Sequence, residues 1–303
     1  MPLGRKFTFD TETIKTENEN IAIDNKKEQN VVTKSMQNIF SISEPQFSFD
    51  EIILNESTYN QIQDALAFIE NKNVIFDEWG LRKTHKMQNK SGINFFGASG
   101  TGKTMAAHAV ANSLNRNLLI VDYSQIESKY VGETSKNITS IFLAAKETNA
   151  IIFFDEADAL LSKRVRNMEN STDTSVNQTR SHLLLKLNDY NDIIIFATNF
   201  IENYDPAFMR RIATHIKFEL PDEFDREKLW RLYIPSEMPN DANINNLSKE
   251  FDNITGADIQ NAVMSAALRA ARQKKNFVPN EYFSQAITKI REAKLSNLRI
   301  ATQ

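Results

Sequence analysis

The 303 residues suffice for about two domains, and with 41% of them hydrophobic they can bury a sizeable core. The absence of cysteine excludes disulfide frameworks, cysteine-ligated zinc, iron–sulfur clusters and a thiol nucleophile together. A net charge of −3, from 36 basic and 39 acidic residues, leaves no global basic excess to attract a nucleic acid backbone.

Residues 1–45 are polar, rich in Asn, Lys, Glu and Thr, and isolated apolar residues such as Phe7, Phe9, Ile21 and Ile23 build no sustained period. A flexible arm is expected; the alternation Lys6-Phe7-Thr8-Phe9-Asp10 alternatively suits a strand added to a partner's sheet. The start lacks the apolar stretch of a secretory signal, and no later run approaches the roughly 18 residues of a membrane span. A soluble, cytoplasmic protein without membrane attachment is therefore expected.

Over 46–220 the character changes. Short apolar runs at 93–96, 118–121, 151–154, 193–197 and 215–218 read as strands, mostly buried on both faces. Helical segments lie between them; from Thr134 to Glu147, for example, Ile138, Ile141, Phe142 and Ala145 recur at spacings of three and four. Alternating strands and helices predict an α/β domain with a parallel sheet covered on both faces. The polar stretch 167–178 reads as a loop within it. After Pro221 no strand is expected, and helical stretches at about 222–234, 243–251, 256–275 and 279–296 make 221–303 a small all-helical domain.

Glycine is scarce, 8 in the chain against a usual share of about 7%, and three of the eight fall in Gly97-Ala98-Ser99-Gly100-Thr101-Gly102-Lys103-Thr104. A strand precedes this octapeptide and a helical segment, Met105 to Leu114, follows it. That is a full P-loop: glycines let backbone N–H groups turn inward around phosphate oxygens, and the next helix presents its positive end. Lys103 reaches the outer phosphates and the Thr104 hydroxyl ligates Mg²⁺. The strand Ile151-Ile152-Phe153-Phe154 ends in Asp155 and Glu156, which point different ways because side chains alternate. In a P-loop site Asp155 serves the metal, and Glu156 orients and deprotonates the water that attacks the γ-phosphate.

These motifs, followed by Ile193 to Asn199, by the double arginine of Asp205-Pro206-Ala207-Phe208-Met209-Arg210-Arg211, and by Thr255-Gly256-Ala257-Asp258, resemble the AAA family of ATPases over roughly residues 47–295. The resemblance implies a five-stranded parallel sheet of order 5-1-4-3-2, a helical lid, and a ring, usually a hexamer, with ATP between subunits. It places Asn199 as the first sensor, whose amide bonds the γ-phosphate and the attacking water. It assigns Arg210 and Arg211 to the region that supplies arginine fingers to a neighbour. Adjacent arginines depart from the commoner pair three apart, which leaves their division of labour open. Ala98-Ser99 stands where Pro-Pro is commoner, and Glu51-Ile52-Ile53 matches the segment that holds adenine, with Ile52 and Ile53 as its apolar contacts. The lid lacks a second-sensor arginine, as in the branch of protein unfoldases and disassembly machines.

Ser128 to Thr134 resembles the aromatic pore loop of substrate-threading members, with Lys129, Tyr130, Val131 and Gly132 as its gripping element; a second, weaker element is expected near Asn177 to Arg180. An aromatic beside a β-branched side chain grips peptide without sequence preference, and glycine permits the turn. A protein client or adaptor is thus the expected partner. The alternative, a nucleic acid motor or clamp loader, predicts basic pore residues, and only Lys129 is one. A switch without turnover is disfavoured by Glu156 and Asn199, and no H-E-x-x-H of a membrane-bound protease is present. Short relatives of this kind include disassembly ATPases, microtubule severers and remodellers of HORMA-domain proteins in bacterial defence.

Overall fold

The computed structural model describes residues 39–84, 92–121, 126, 133–162, 171–199 and 204–301. Its sheet has six strands: β1 (Phe40–Ser43), β2 (Gly92–Gly97), β3 (Leu118–Val121), β4 (Ile151–Phe154), β5 (Ile194–Thr198) and β6 (Ile212–Phe218), in the order β1-β3-β4-β5-β2-β6. The five from β2 to β6 are parallel, and their order matches the expected 5-1-4-3-2. β1 is an addition to that expectation. It lies in the stretch read as arm and runs antiparallel to β3. Four residues flanked by polar chain carry too little period to read as a strand; β1 forms because the edge of β3 offers unpaired N–H and C=O groups. β6 begins earlier than its apolar run suggested, at Ile212, and its pairing with β2 shifts register between Gly92 and Ile93.

Alternation along the strands divides the core. Ile152, Phe154, Ile194 and Phe196 face one way, onto Ile138, Ile141 and Phe142 of α3 (Glu133–Glu147) and Leu183 and Leu184 of α5 (Ser171–Asp189). Ile151, Phe153, Ile195 and Ala197 face the other way, onto α1 (Glu56–Glu70) and α2 (Lys103–Ser113). In α2 the inward residues are small, Ala106, Ala107, Val110 and Ala111, so the helix lies close on the sheet. The short α4 (Asp158–Leu161) follows β4, and α6 (Pro206–Met209) precedes β6. Residues 171–178, read as part of a polar loop, belong to α5: its buried leucines sit only in its second half, so no hydrophobic period marks its polar first half.

The helices α7 (Glu223–Tyr233), α8 (Ile244–Glu250), α9 (Gly256–Arg272) and α10 (Asn280–Ala301) close on a third core around Trp230, Ile259 and Phe283. Side-chain caps fix where three of them start: Asp222 accepts from the Asp225 N–H, Asn243 from Asn246, and Thr255 from Asp258 in a capping box. Among the described residues no helix is long and apolar enough to cross a membrane.

Candidate functional site

The candidate site forms at the carboxyl ends of β2, β4 and β5, where an open parallel sheet offers its loops to a ligand. β2 ends at Gly97 (φ +149°), where a Cβ would stand 2.2 Å from the Phe218 carbonyl oxygen at the end of β6. Only glycine fits there. Gly100 (φ +80°) abuts the start of α9, and its carbonyl accepts the Ala257 N–H at 3.3 Å. The loop thus runs between the sheet and the helical layer before entering α2, whose N-terminus carries the positive end of a helix dipole.

The Lys103 ammonium donates to Gly97 O at 2.7 Å, Ala98 O at 3.0 Å and Asn199 Oδ1 at 3.1 Å. Burial pushes its pKa down, while Asp155 and then Asp158 act in the opposite direction. An anion brought against a desolvated ammonium offsets that burial, so the position suits phosphate. Thr104 Oγ1 donates to Asp155 Oδ2 at 2.9 Å. A hydroxyl and a carboxylate are hard oxygen donors, fitting Mg²⁺. Among the described residues no group of three or more His, Cys, Asp or Glu side chains gathers to cage a metal, so such a cation would complete its shell with phosphate and water, as Mg²⁺ commonly does.

Glu156 adopts φ +49°, uncommon outside glycine. Asp155 Oδ1 accepts the Glu156 N–H at 2.9 Å, and the next N–H, of Ala157, donates to Ala197 O on β5 at 2.8 Å. This turn separates the two carboxylates: Asp155 lies against Thr104, and Glu156 is exposed at the same cavity. Asp158, which sequence reasoning missed, accepts the Asn199 N–H with both carboxylate oxygens, at 3.0 and 3.1 Å. It thereby fixes the backbone of the residue whose amide meets Lys103. Its partner is a backbone N–H far along the chain, and the only trace in the sequence is an acid in the first turn after Asp155-Glu156.

Lys103, Thr104, Asp155, Glu156 and Asn199 line one cavity of about 300 Å³, within the range of small-molecule sites. Its other wall includes Ile52, Ile53, Leu229, Tyr233, Gly256 and Ala257, with the polar Asp225 and Gln260 among them. Ile52 is extended, so neighbouring side chains diverge: Ile52 packs on the sheet core and Ile53 on the helical core. The helical part of this wall was also missed, because nothing local to α7 or α9 announces a ligand.

Arg210 and Arg211 do not line the cavity. Arg211 donates to Asn188 Oδ1 at 2.7 Å and Ala207 O at 2.9 Å, whereas Arg210 is exposed and its side chain has no hydrogen bond or ion pair among the described residues. Lys129, Tyr130, Val131 and Gly132 lie outside the described residues. The weaker pore element near 177–180 is overturned: Asn177, Thr179 and Arg180 are buried in α5, and Arg180 bonds Ala159 O and Ser162 Oγ.

Residues 93–220, from β2 to just past β6, match the model of the ATPase family associated with various cellular activities (AAA). The proteasome-activating nucleotidase of Saccharolobus islandicus is 30% identical over 272 residues, which are 87% of this chain and 67% of that protein. The chain belongs to the AAA family of ATPases. Two further AAA relatives align over less of their own length. The 26S proteasome regulatory subunit 4 homolog of Schizosaccharomyces pombe is 31% identical over 86% of this chain and 59% of its own, and the proteasome-activating nucleotidase of Methanococcus maripaludis is 30% identical over 81% and 60%. The AAA match takes in every parallel strand and stops before α7, so the helical wall of the cavity lies beyond it.

Proposed function

We propose that this AAA chain, assembled with copies of itself into a hexameric ring in the cytoplasm, hydrolyses ATP and uses the energy to unfold or disassemble a protein client. The observation that carries the reading is the convergence of Lys103, Thr104, Asp155, Glu156 and Asn199 on a cavity whose opposite wall sets apolar Ile52, Ile53 and Leu229 beside polar Asp225 and Gln260, one end suited to a triphosphate and the other to a base. In this reading Gly97 to Thr104 hold the phosphates, with Ala98, Ser99, Thr101 and Gly102 contributing backbone, while Ile52 and Ile53 contact adenine. Thr104 and Asp155 would hold Mg²⁺, which when bound neutralises phosphate charge. Glu156 takes the proton of the attacking water as its oxygen bonds the γ-phosphorus and the bond to the leaving ADP oxygen breaks; Asn199 orients that water. Residues 46–220 with β1 form the nucleotide domain and 221–303 the lid.

Of the two arginines we assign the contact in trans to Arg210, because its guanidinium has no hydrogen bond or ion pair among the described residues, and a positioning role to Arg211, which its own chain holds. Tyr130, with Lys129, Val131 and Gly132, grips the client. The relatives' names speak of the proteasome, which favours a protein client over a nucleic acid; they do not speak of HORMA-domain proteins. The test pairs two variants. Lys103→Ala should lose ATP binding, whereas Glu156→Gln should bind ATP, stop turnover and retain client proteins in a pull-down. Undiminished nucleotide affinity in Lys103→Ala, or normal turnover in Glu156→Gln, refutes the assignment.

A further inference from the structure

On the face of the sheet packed against α3 and α5, the strands β5, β2 and β6 break an apolar pattern at adjacent positions. Where Ile152, Phe154, Ile194 and Phe196 are apolar, these strands present Thr198, Asn94 and His215, and Asn94 pairs directly with His215 across β2 and β6. Thr198 and Asn94 are fully buried. Tyr204 closes the cluster: its hydroxyl donates to Thr198 Oγ1, and Asn94 Nδ2 lies 3.5 Å from both the Tyr204 oxygen and His215 Nδ1. Thr198 Oγ1 has two acceptors within reach, Asn94 Oδ1 at 3.4 Å and Phe95 O at 3.5 Å. Burial pushes the Tyr204 pKa up to about 12, so it remains a donor at neutral pH.

Apolar side chains of equal volume fill such a space at less cost than polar groups joined by long hydrogen bonds. What the cluster adds is connection. Thr198 is covalently joined to Asn199, and Tyr204 to Asp205. Asp205 donates its N–H to Leu161 O, at the end of the helix that carries Asp158, and its carboxylate caps α6 by accepting the Ala207 N–H. α6 is four residues long and leads straight to Arg210. His215 lies against the backbone of Met209, the residue before Arg210. The alternative acceptors at Thr198 give the cluster more than one way to bond, as an element with two discrete arrangements requires.

We infer that Tyr204, held by Thr198 and Asn94, is a positioning residue that couples Asn199 in a subunit's own nucleotide site to the Arg210 it offers to its neighbour. This rests on the trans-acting Arg210 proposed above, and the experiment separates the two. Arg210→Ala subunits keep an intact nucleotide site, Glu156→Gln subunits bind ATP without turnover and keep both the Lys103–Asn199 contact and the finger, and their mixture should turn over ATP at mixed interfaces. Adding Tyr204→Phe to the Glu156→Gln subunit, whose own site does not turn over, should lower turnover of the mixture roughly 5-fold or more by kcat with KM unchanged. Thr198→Val in the same subunit should give a similar loss, and the double variant should be no worse than either alone. Melting temperatures of each variant exclude simple unfolding, and Thr198→Val decides if Tyr204→Phe proves unstable. An unmodified mixture without turnover overturns the trans finger and the coupling together. Full turnover with Tyr204→Phe in the finger-donating subunit overturns the coupling alone, as does a loss confined to placement in the Arg210→Ala subunit.

Discussion

Gly100→Ala tests whether the P-loop and the lid helix α9 act as one surface. At Gly100 the backbone has φ +80°, and a Cβ would meet Ala257 Cβ and Thr255 Oγ1, both at 2.8 Å. Neither neighbour can give way cheaply. Ala257 Cβ is fixed to backbone, and Thr255 is the N-cap of α9, in a capping box with Asp258, whose carboxylate also receives Lys294 Nζ at 2.5 Å. Gly80 supplies the control, because its φ is +73° and a Cβ there meets nothing within 4 Å. Gly80→Ala should therefore cost only the left-handed strain, about 1–2 kcal/mol, while Gly100→Ala adds an overpacking cost of about 1–3 kcal/mol. Both stiffen the unfolded chain alike, so that contribution cancels in the comparison. The excess is relieved only if α9 backs away and loses the Ala257 to Gly100 hydrogen bond, which opens the cavity. Nucleotide affinity should then fall about 10-fold in Gly100→Ala, equivalent to about 1.4 kcal/mol, and stay unchanged in Gly80→Ala. Denaturant midpoints and nucleotide titration of both variants measure the two effects. Equal destabilisation with equal affinity would refute the claim that the lid rests on the P-loop.

Asp158→Ala should lower kcat about 10-fold or more while ATP still binds, because the Asn199 N–H loses its carboxylate and the amide its fixed position; single-turnover kinetics report this, and an unchanged kcat contradicts it. Tyr130→Ala should keep most basal ATPase activity yet fail to process the client recovered with Glu156→Gln, and Tyr130→Phe should work; normal processing by the alanine variant ends the threading reading. Burial lowers the pKa of His108, whose Nδ1 accepts the Gln46 N–H at 3.3 Å, and likewise that of His215. The unfolded chain then binds more protons than the folded one as pH falls below about 6.5, so stability present above that pH is lost on acidification. Denaturant midpoints should drop between pH 7 and 5.5, less steeply in His108→Gln; identical slopes would remove His108 from the account.

The residues we assign to phosphate are legible because their chemistry is contiguous in the chain. Strand, glycine loop, Lys103-Thr104 and helix follow one another, and the acids Asp155 and Glu156 end an apolar run, so residue type and spacing already imply an anion and a divalent cation. The parallel strands are legible for a similar reason: buried on both faces, they are continuous apolar runs. β1 is not, because an edge strand is made by the hydrogen bonds its neighbour leaves open rather than by its own pattern.

The readings of Asn199 as sensor, of the two arginines and of the pore loop came from resemblance to AAA proteins, whereas the proposed division of labour between Arg210 and Arg211 rests on pairing: Arg211 finds Asn188 and Ala207, and Arg210 finds no partner among the described residues. Asp158, the lid contact on Gly100 and the Thr198–Asn94–Tyr204–His215 cluster belong wholly to the tertiary structure. Apart from Thr198 and Tyr204, six residues apart, each joins groups whose partners stand tens of residues away, often as backbone N–H or C=O, and every residue carries those whatever its side chain. A sequence therefore records which chemistry the chain can perform. Where a backbone group or a buried hydroxyl finds its partner is decided only when β2, β5 and β6 lie side by side.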